Sequence, residues 1–226
     1  DSDILINKYA PNIFNFSNLK KISVVNFTKN LPHLRSNYDL RERIVYLRRL
    51  FMDKSYPLRS SITASPEEIY KAYKFKKKFS NYFCAGVMVY NVNMYYNFFE
   101  KIYLKYCDKK HLKRFRGVEV PLNYEILKKN KTHWLDYKFQ TIWLYELADK
   151  YSFIYREQKN HNLLIKLCAE EIVLNSFFLH FPGTLQDSSK VWKIKNFFEN
   201  KKLDSLNKFF NIKSPKLKPK FKKIFN

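Results

Sequence analysis

Only three glycines occur in 226 residues: Gly86, Gly117 and Gly183. At the ordinary frequency of roughly 7% a chain of this length would hold about 16. A sequence this averse to glycine is expected to keep it where a Cβ cannot fit, at a positive φ or where a ligand approaches the backbone. Gly86 lies in the apolar run Tyr82–Tyr90, and Gly183 closes His180-Phe181-Pro182-Gly183. Two of the three therefore mark candidate site walls.

Hydrophobic spacing sorts much of the rest into strands and helices. Residues 4–7 and 21–27 read as strands bounded by polar residues. Between Asn37 and Tyr56, Leu40, Ile44, Leu47 and Phe51 recur at helical spacing, which predicts an amphipathic helix. Ser65-Pro66-Glu67-Glu68 has the form of a capping box with Pro at the first helical position, and predicts a helix running to about Phe79. Tyr82–Tyr90 is apolar throughout, as in a strand buried on both faces. Asn93 can cap a helix through about Cys107, and Pro121 can open another through Lys129. The aromatic stripe from Tyr95 to Tyr103 reads as core. Residues 134–143 look extended and irregular, 163–172 helical, 176–181 a strand and 189–199 a helix. Strands alternating with helices indicate an α/β layered domain over residues 1–195, followed by a basic segment over 196–226.

Composition narrows the function classes. No run of eighteen apolar residues is long enough to span a bilayer, and the opening residues do not read as the charged-then-apolar pattern of a signal peptide. Three cysteines, Cys84, Cys107 and Cys168, lack the CxxC spacing of a zinc site and make an odd set for a disulfide framework. Reduced thiols in the cytoplasm fit best. The formal charge is +23, and the stretch from Lys190 to Asn226 alone holds 12 lysines against Glu199 and Asp204. There Phe197, Phe198, Leu203, Leu206, Phe209, Phe210 and Ile212 interleave with lysine. That pattern suits an amphipathic segment lying on an anionic membrane, peripheral at its cytoplasmic face.

The acidic pair Asp1-Ser2-Asp3 stands directly ahead of Ile4-Leu5-Ile6. In an extended segment positions i and i+2 share a face, so both carboxylates can serve one hard divalent cation. An added imidazole would shift the preference from Mg²⁺ toward Mn²⁺.

In this order along the chain, four segments resemble the motifs of a family 8 glycosyltransferase, the GT-A group that includes glycogenin and bacterial lipopolysaccharide glycosyltransferases. Asp1-Ser2-Asp3 is similar to the Asp-x-Asp metal motif. The strand Tyr82–Asn91 resembles the one ending in a sugar-binding Asn-Ala-Gly turn. Glu119-Val120-Pro121-Leu122-Asn123 is similar to Asp-Gln-x-x-Leu-Asn. His180-Phe181-Pro182-Gly183 with Lys190 and Trp192 resembles His-x-x-Gly-x-x-Lys-Pro-Trp.

The resemblance implies hexose transfer from a nucleotide-diphosphate sugar, UDP-linked in most of the family, with retention at the anomeric carbon. The acceptor would be a cell-surface glycan or glycolipid. Mn²⁺, or Mg²⁺, would sit on Asp1, Asp3 and His180. Gly183 and Lys190 would receive the phosphates. Cys84, Ala85, Gly86 and Asn123 would line the donor sugar, with Glu119 as the catalytic carboxylate. The fold implied is the C-terminal, acceptor-side portion of a GT-A mixed sheet. The nucleotide-binding half is expected upstream of Asp1, and residues 1–226 alone are expected to be inactive.

This sequence departs from the family where Cys84 replaces a sugar-binding Asn, where Val118-Glu119 replaces Asp-Gln, and where Lys190 falls seven residues after Gly183. Two other readings stay open: a catalytically inactive relative serving as an interaction domain, and, less in keeping with the Gly86 strand, a basic nucleic-acid-binding module.

Overall fold

The computed structural model describes residues 4–26, 28, 38–51, 64–109, 118–151, 153 and 161–182. The elements run β1 (Ile4–Ile6), β2 (Ile22–Asn26), α1 (Tyr38–Phe51), α2 (Pro66–Ala72), β3 (Phe83–Val89), α3 (Val92–Tyr106), α4 (Glu119–Lys128), β4 (Thr132–Leu135), β5 (Thr141–Ile142), α5 (Trp143–Lys150), α6 (His161–Asn175) and β6 (Phe178–His180). Short 3₁₀ turns occupy Ile13–Phe16 and Tyr137–Gln140. The class is mixed α/β, with two small mixed sheets of strand order β1-β6-β5 and β3-β2-β4. The chain divides into two compact units. One is drawn from residues 1–10, 38–58 and 140–226, the other from 11–37 and 59–139.

In the first unit, β6 is central. It pairs antiparallel with β1, Ile4 opposite His180 and Leu5 opposite Leu179, and parallel with β5, Ile142 opposite His180. Leu5, Leu179 and Ile142 are buried. The Asn7 side-chain amide donates to the Ser176 carbonyl at 3.1 Å and so fixes the end of β1 to the end of α6. As the spacing predicts, α1 buries Leu40, Ile44 and Leu47, each worth about 1.5–3 kcal/mol when fully removed from water. That face packs on α5, whose Ala148 carbonyl accepts from the Arg43 guanidinium at 3.4 Å. Trp143 of α5 meets Phe181 at a ring-centroid distance of 5.5 Å.

In the second unit β2 is central and buried at every position. β3 runs antiparallel and β4 parallel to it. Ile22, Val24 and Phe83 form a core with Tyr95 of α3 and Ile126 of α4. A polar tie joins the two helices. The Lys105 ammonium and the Tyr106 hydroxyl both donate to Glu125 Oε1, at 2.6 and 2.8 Å. Burial raises the Glu125 pKa, but these two hydrogen bonds together with the Lys105 and Lys128 charges outweigh it and hold the carboxyl below its ordinary value of 4.5.

Several elements differ from expectation. The capping box forms as predicted, with Glu68 Oε2 accepting from the Ser65 N–H at 2.6 Å and the Ser65 hydroxyl accepting from the Glu68 N–H at 3.3 Å. Helix α2 nevertheless ends at Ala72 rather than Phe79. Lys74 takes a left-handed φ of 58°, its N–H bonding Lys71 O while the Phe75 N–H bonds Tyr70 O. This is a Schellman closure, and it releases Phe75 to stack on Tyr124 at 4.0 Å. Asn91 rather than Asn93 caps α3, accepting from the Met94 N–H. Helix α4 begins at Glu119, with Pro121 at its third position, where a missing N–H costs nothing. In the aromatic stripe Tyr95 is buried, whereas Tyr96 and Tyr103 point to solvent. Strand β3 is an edge strand with only Phe83 and Val87 buried, not a strand covered on both faces. Residues 134–142 of the stretch read as extended and irregular hold the end of β4, a 3₁₀ turn and β5, and the helix over 143–150 has no counterpart in the sequence reading. The helix expected at 189–199 and the basic segment 196–226 lie outside the described residues.

Two outcomes follow. Lys74→Gly removes a β-carbon from a left-handed position and should raise stability by about 0.5–1 kcal/mol in denaturant titration, net of the extra freedom glycine brings to the unfolded chain. Because the Glu125 pKa is depressed on folding, its contribution is complete above the unfolded value and fades as pH falls through the folded one. Glu125→Gln should therefore cost stability at neutral pH, with the gap from the parent chain closing as the pH drops below about 4.5.

Candidate functional site

The pairing of β2 with β3 slips in the segment the sequence singles out. Asn26 is opposite Phe83 and Val24 is opposite Met88, so Val25 alone faces Cys84-Ala85-Gly86-Val87. Such a bulge bends its strand and re-aims side chains, and bulges concentrate beside active sites. Glycine at position 86 lies within this irregular stretch. Ala85 packs against the core of the unit, and Cys84 is half-buried.

Asn123 holds the entry to the bulge. It is 0% exposed. Its Oδ1 accepts from the Phe83 N–H at 2.8 Å, and its Nδ2 donates to the Phe83 carbonyl at 2.7 Å and to the Glu119 carbonyl at 3.2 Å. The resemblance implies a substrate-binding role for Asn123. A side chain with no solvent-facing surface, engaged at both ends by backbone, instead positions the strand against α4.

One turn earlier on α4, half-buried Glu119 accepts a hydrogen bond at Oε1 from the Tyr82 hydroxyl at 3.0 Å. Burial, then the neighbouring Glu119 charge, pushes the Tyr82 phenol well above its ordinary pKa, so it remains a donor at neutral pH. Tyr70 is raised in the same way, by burial first and Glu119 second. Its hydroxyl donates to the Asn81 carbonyl at 3.4 Å and its ring lies 6.1 Å from that of Tyr82. Glu119 is thus an oriented carboxylate in the first turn of a helix beside a bulged strand. Chemically it can accept from a sugar hydroxyl or stabilise a developing positive charge.

His180 lies in the other unit. It is 1% exposed, and its Nδ1 sits 3.3 Å from Gln140 Nε2. With the amide so placed, Nδ1 accepts and Nε2 carries the proton. Turning the Gln140 amide over makes Nδ1 the donor and gives Nε2 the lone pair that a metal needs. An outer partner of this kind is the usual companion of a ligating imidazole. Ile4, directly after the acidic pair, is the Cα partner of His180. Asp1, Asp3, Gly183 and Lys190 lie outside the described residues. Among the described residues no group of three or more His, Cys, Asp or Glu could hold a metal ion.

The cysteines carry no disulfide. Cys168 is buried, and burial followed by the Glu171 charge pushes its thiol up to about 11, which keeps it protonated and inert. Two contributors escape a reading of the sequence. Tyr82 reads there only as the first residue of an apolar run, although a tyrosine at that position brings a hydroxyl that needs a partner once buried. Gln140 has no local signal at all, because its contact with His180 is made by the pairing of β5 with β6.

Compared with protein-family models, with curated proteins and with solved structures, the chain matches none.

The double clamp sets a measurable expectation. Asn123→Ala orphans the Phe83 N–H and carbonyl and should lower stability by about 3 kcal/mol, at roughly one to three per unsatisfied group. Tyr82→Phe removes one hydrogen bond to a carboxylate and should cost about 1.5–3 kcal/mol. Equilibrium denaturation of the two variants checks both, and a smaller loss for Asn123→Ala than for Tyr82→Phe would contradict this ranking.

Proposed function

We propose that this chain belongs to a metal-dependent glycosyltransferase that moves a hexose from a nucleotide-diphosphate sugar to a glycan or glycolipid. One observation carries the reading: the strand 82–91 and the segment 119–123, the two stretches that resemble the family's sugar-binding motifs, are tied together by the Asn123 clamp and the Tyr82–Glu119 hydrogen bond. A sugar-handling site needs such a carboxylate next to shaped backbone, and the irregular stretch of β3 supplies that shape at Cys84, Ala85 and Gly86. Cys84, in place of a hydrogen-bonding Asn, makes sugar recognition depend more on backbone groups and on Glu119.

The reading gives Glu119 the work at the anomeric centre. As the leaving group departs, positive charge grows on the sugar, and an anionic side chain held in place by Tyr82 stabilises it without reorganising. Asn123 positions the strand on which the sugar rests. His180, steadied by Gln140, would hold Mn²⁺ or Mg²⁺ together with Asp1 and Asp3, and Gly183 and Lys190 would face the phosphates. A bound divalent ion there would offset charge on the departing diphosphate. The register that sets Ile4 against His180 favours a shared ligand set, because Asp3 is the next residue along. A lipid-linked acceptor accords with the lysine-rich segment 196–226 resting on an anionic membrane.

Electron paramagnetic resonance of free Mn²⁺ tests the reading on the chain as it stands. Titrating protein into Mn²⁺ should diminish the free-ion signal, and Asp3→Asn should weaken that binding at least about tenfold while leaving the circular dichroism spectrum unchanged. Mn²⁺ left free, or bound equally by Asp3→Asn, would sink the metal-centred reading. Glu119→Gln should leave Mn²⁺ binding intact, which separates the carboxylate's part from the ion's.

A further inference from the structure

Residues 12–21 make a connection whose backbone is pinned repeatedly but whose largest side chains face water. Asn12 Oδ1 accepts from the Phe14 N–H at 3.0 Å, the Ser17 hydroxyl donates to the Ile13 carbonyl at 2.8 Å, and Asn18 Oδ1 accepts from the Lys20 N–H at 3.0 Å. The rest of the second unit holds the connection from behind. The Tyr95 hydroxyl donates to the Lys20 carbonyl at 2.7 Å, His133 Nε2 lies 3.0 Å from Phe16 O, and the Phe16 ring sits 5.3 Å from Phe139. In this fixed setting Phe14 is 64% exposed, Phe16 49% and Leu19 52%.

A loose loop could fold such side chains inward; one held by these polar and aromatic contacts cannot. Three large apolar groups kept in water together mark a surface that something else covers. What rims them identifies the partner. Lys20 and Lys21 follow directly, Lys131 is joined through its carbonyl to the Ile22 N–H at 2.7 Å, and Lys138 precedes Phe139. All four are exposed. The acid nearest in sequence to this rim is Asp136, whose carboxylate already accepts from the Lys138 N–H at 2.8 Å. Residues 4–38 contain no Asp or Glu. Lysines from three chain segments around an aromatic and aliphatic tip match the two layers of a lipid surface, phosphate outside and acyl chain within.

We propose that the Phe14–Lys21 tip docks on an anionic phospholipid membrane, with Phe14 and Leu19 entering the headgroup–acyl boundary and Lys20, Lys21, Lys131 and Lys138 meeting lipid phosphates. The contact is independent of the C-terminal segment and of the glycosyl-transfer reading.

The test is local. In the full chain carrying Phe14→Trp, emission measured as a difference from the parent should shift to the blue with phosphatidylcholine vesicles containing phosphatidylglycerol, and brominated acyl chains should quench it. Adding Lys20→Glu and Lys21→Glu should weaken vesicle binding about tenfold or more, and raised salt should do the same. If vesicles sediment the protein while the difference emission stays that of an indole in water, the anchor lies elsewhere and the proposal falls. It falls equally if neutral vesicles bind as well as anionic ones, or if the blue shift arises without lipid as protein concentration rises, which would mark a contact between copies of the chain.

Discussion

The second unit depends on one buried amide. Asn123 returns both hydrogen bonds to a single residue, Phe83, and a third to Glu119 in its own helix. Phe83 sits where β3 leaves its regular ladder, and without the clamp its N–H and carbonyl would be buried with no strand partner guaranteed beside the bulge. The amide thus lets an irregular edge strand exist against a helix without stranded polar groups. The geometry around Glu119 and Tyr82 follows from this, since the same turn of α4 supplies the carboxylate and the clamp.

What was legible in the sequence was local. Ser65 and Glu68 announce a capping box by spacing alone, and Leu40, Ile44 and Leu47 announce a buried stripe. What was hidden lacks a local signal or depends on contacts between distant residues. Helix α5 is only eight residues long and follows Ile142 with no side-chain cap, so neither a start signal nor enough length marks it in the sequence. The end of α2 coincides with the stacking of Phe75 on Tyr124, a distant partner to which residues near position 74 give no clue. For the candidate site, the sequence singled out a stretch of β3 and a carboxylate that the structure joins through Tyr82 and Asn123, and it pointed to Asn123 as a ligand-binding group where its hydrogen bonds go to backbone. An asparagine offers the same atoms to a sugar and to a backbone, and only burial distinguishes the two uses.

Scarcity of glycine also has a different outcome from the one expected. The two left-handed residues other than glycine among the described residues, Lys74 and Asn130, both stop helices. Asn130 tolerates that conformation because its short polar side chain suits it, and its N–H closes on the Leu127 carbonyl at 3.1 Å before β4 begins. Lys74 has no such side chain and carries strain instead. The chain therefore accepts small local penalties at turns while a glycine remains in the bulge of β3.

The tie between Asn7 and Ser176 spans 169 positions, and β1 finds its sheet partner at a similar remove. During synthesis Ile4-Leu5-Ile6 cannot pair with β6 until almost the whole intervening polypeptide has emerged. Bringing such distant ends together costs chain entropy before any pairing repays it. The second unit, whose strands lie between Ile22 and Leu135, can close earlier. Connectivity thus lets the β3-β2-β4 sheet close before the ladder between β1 and the His180 strand can form.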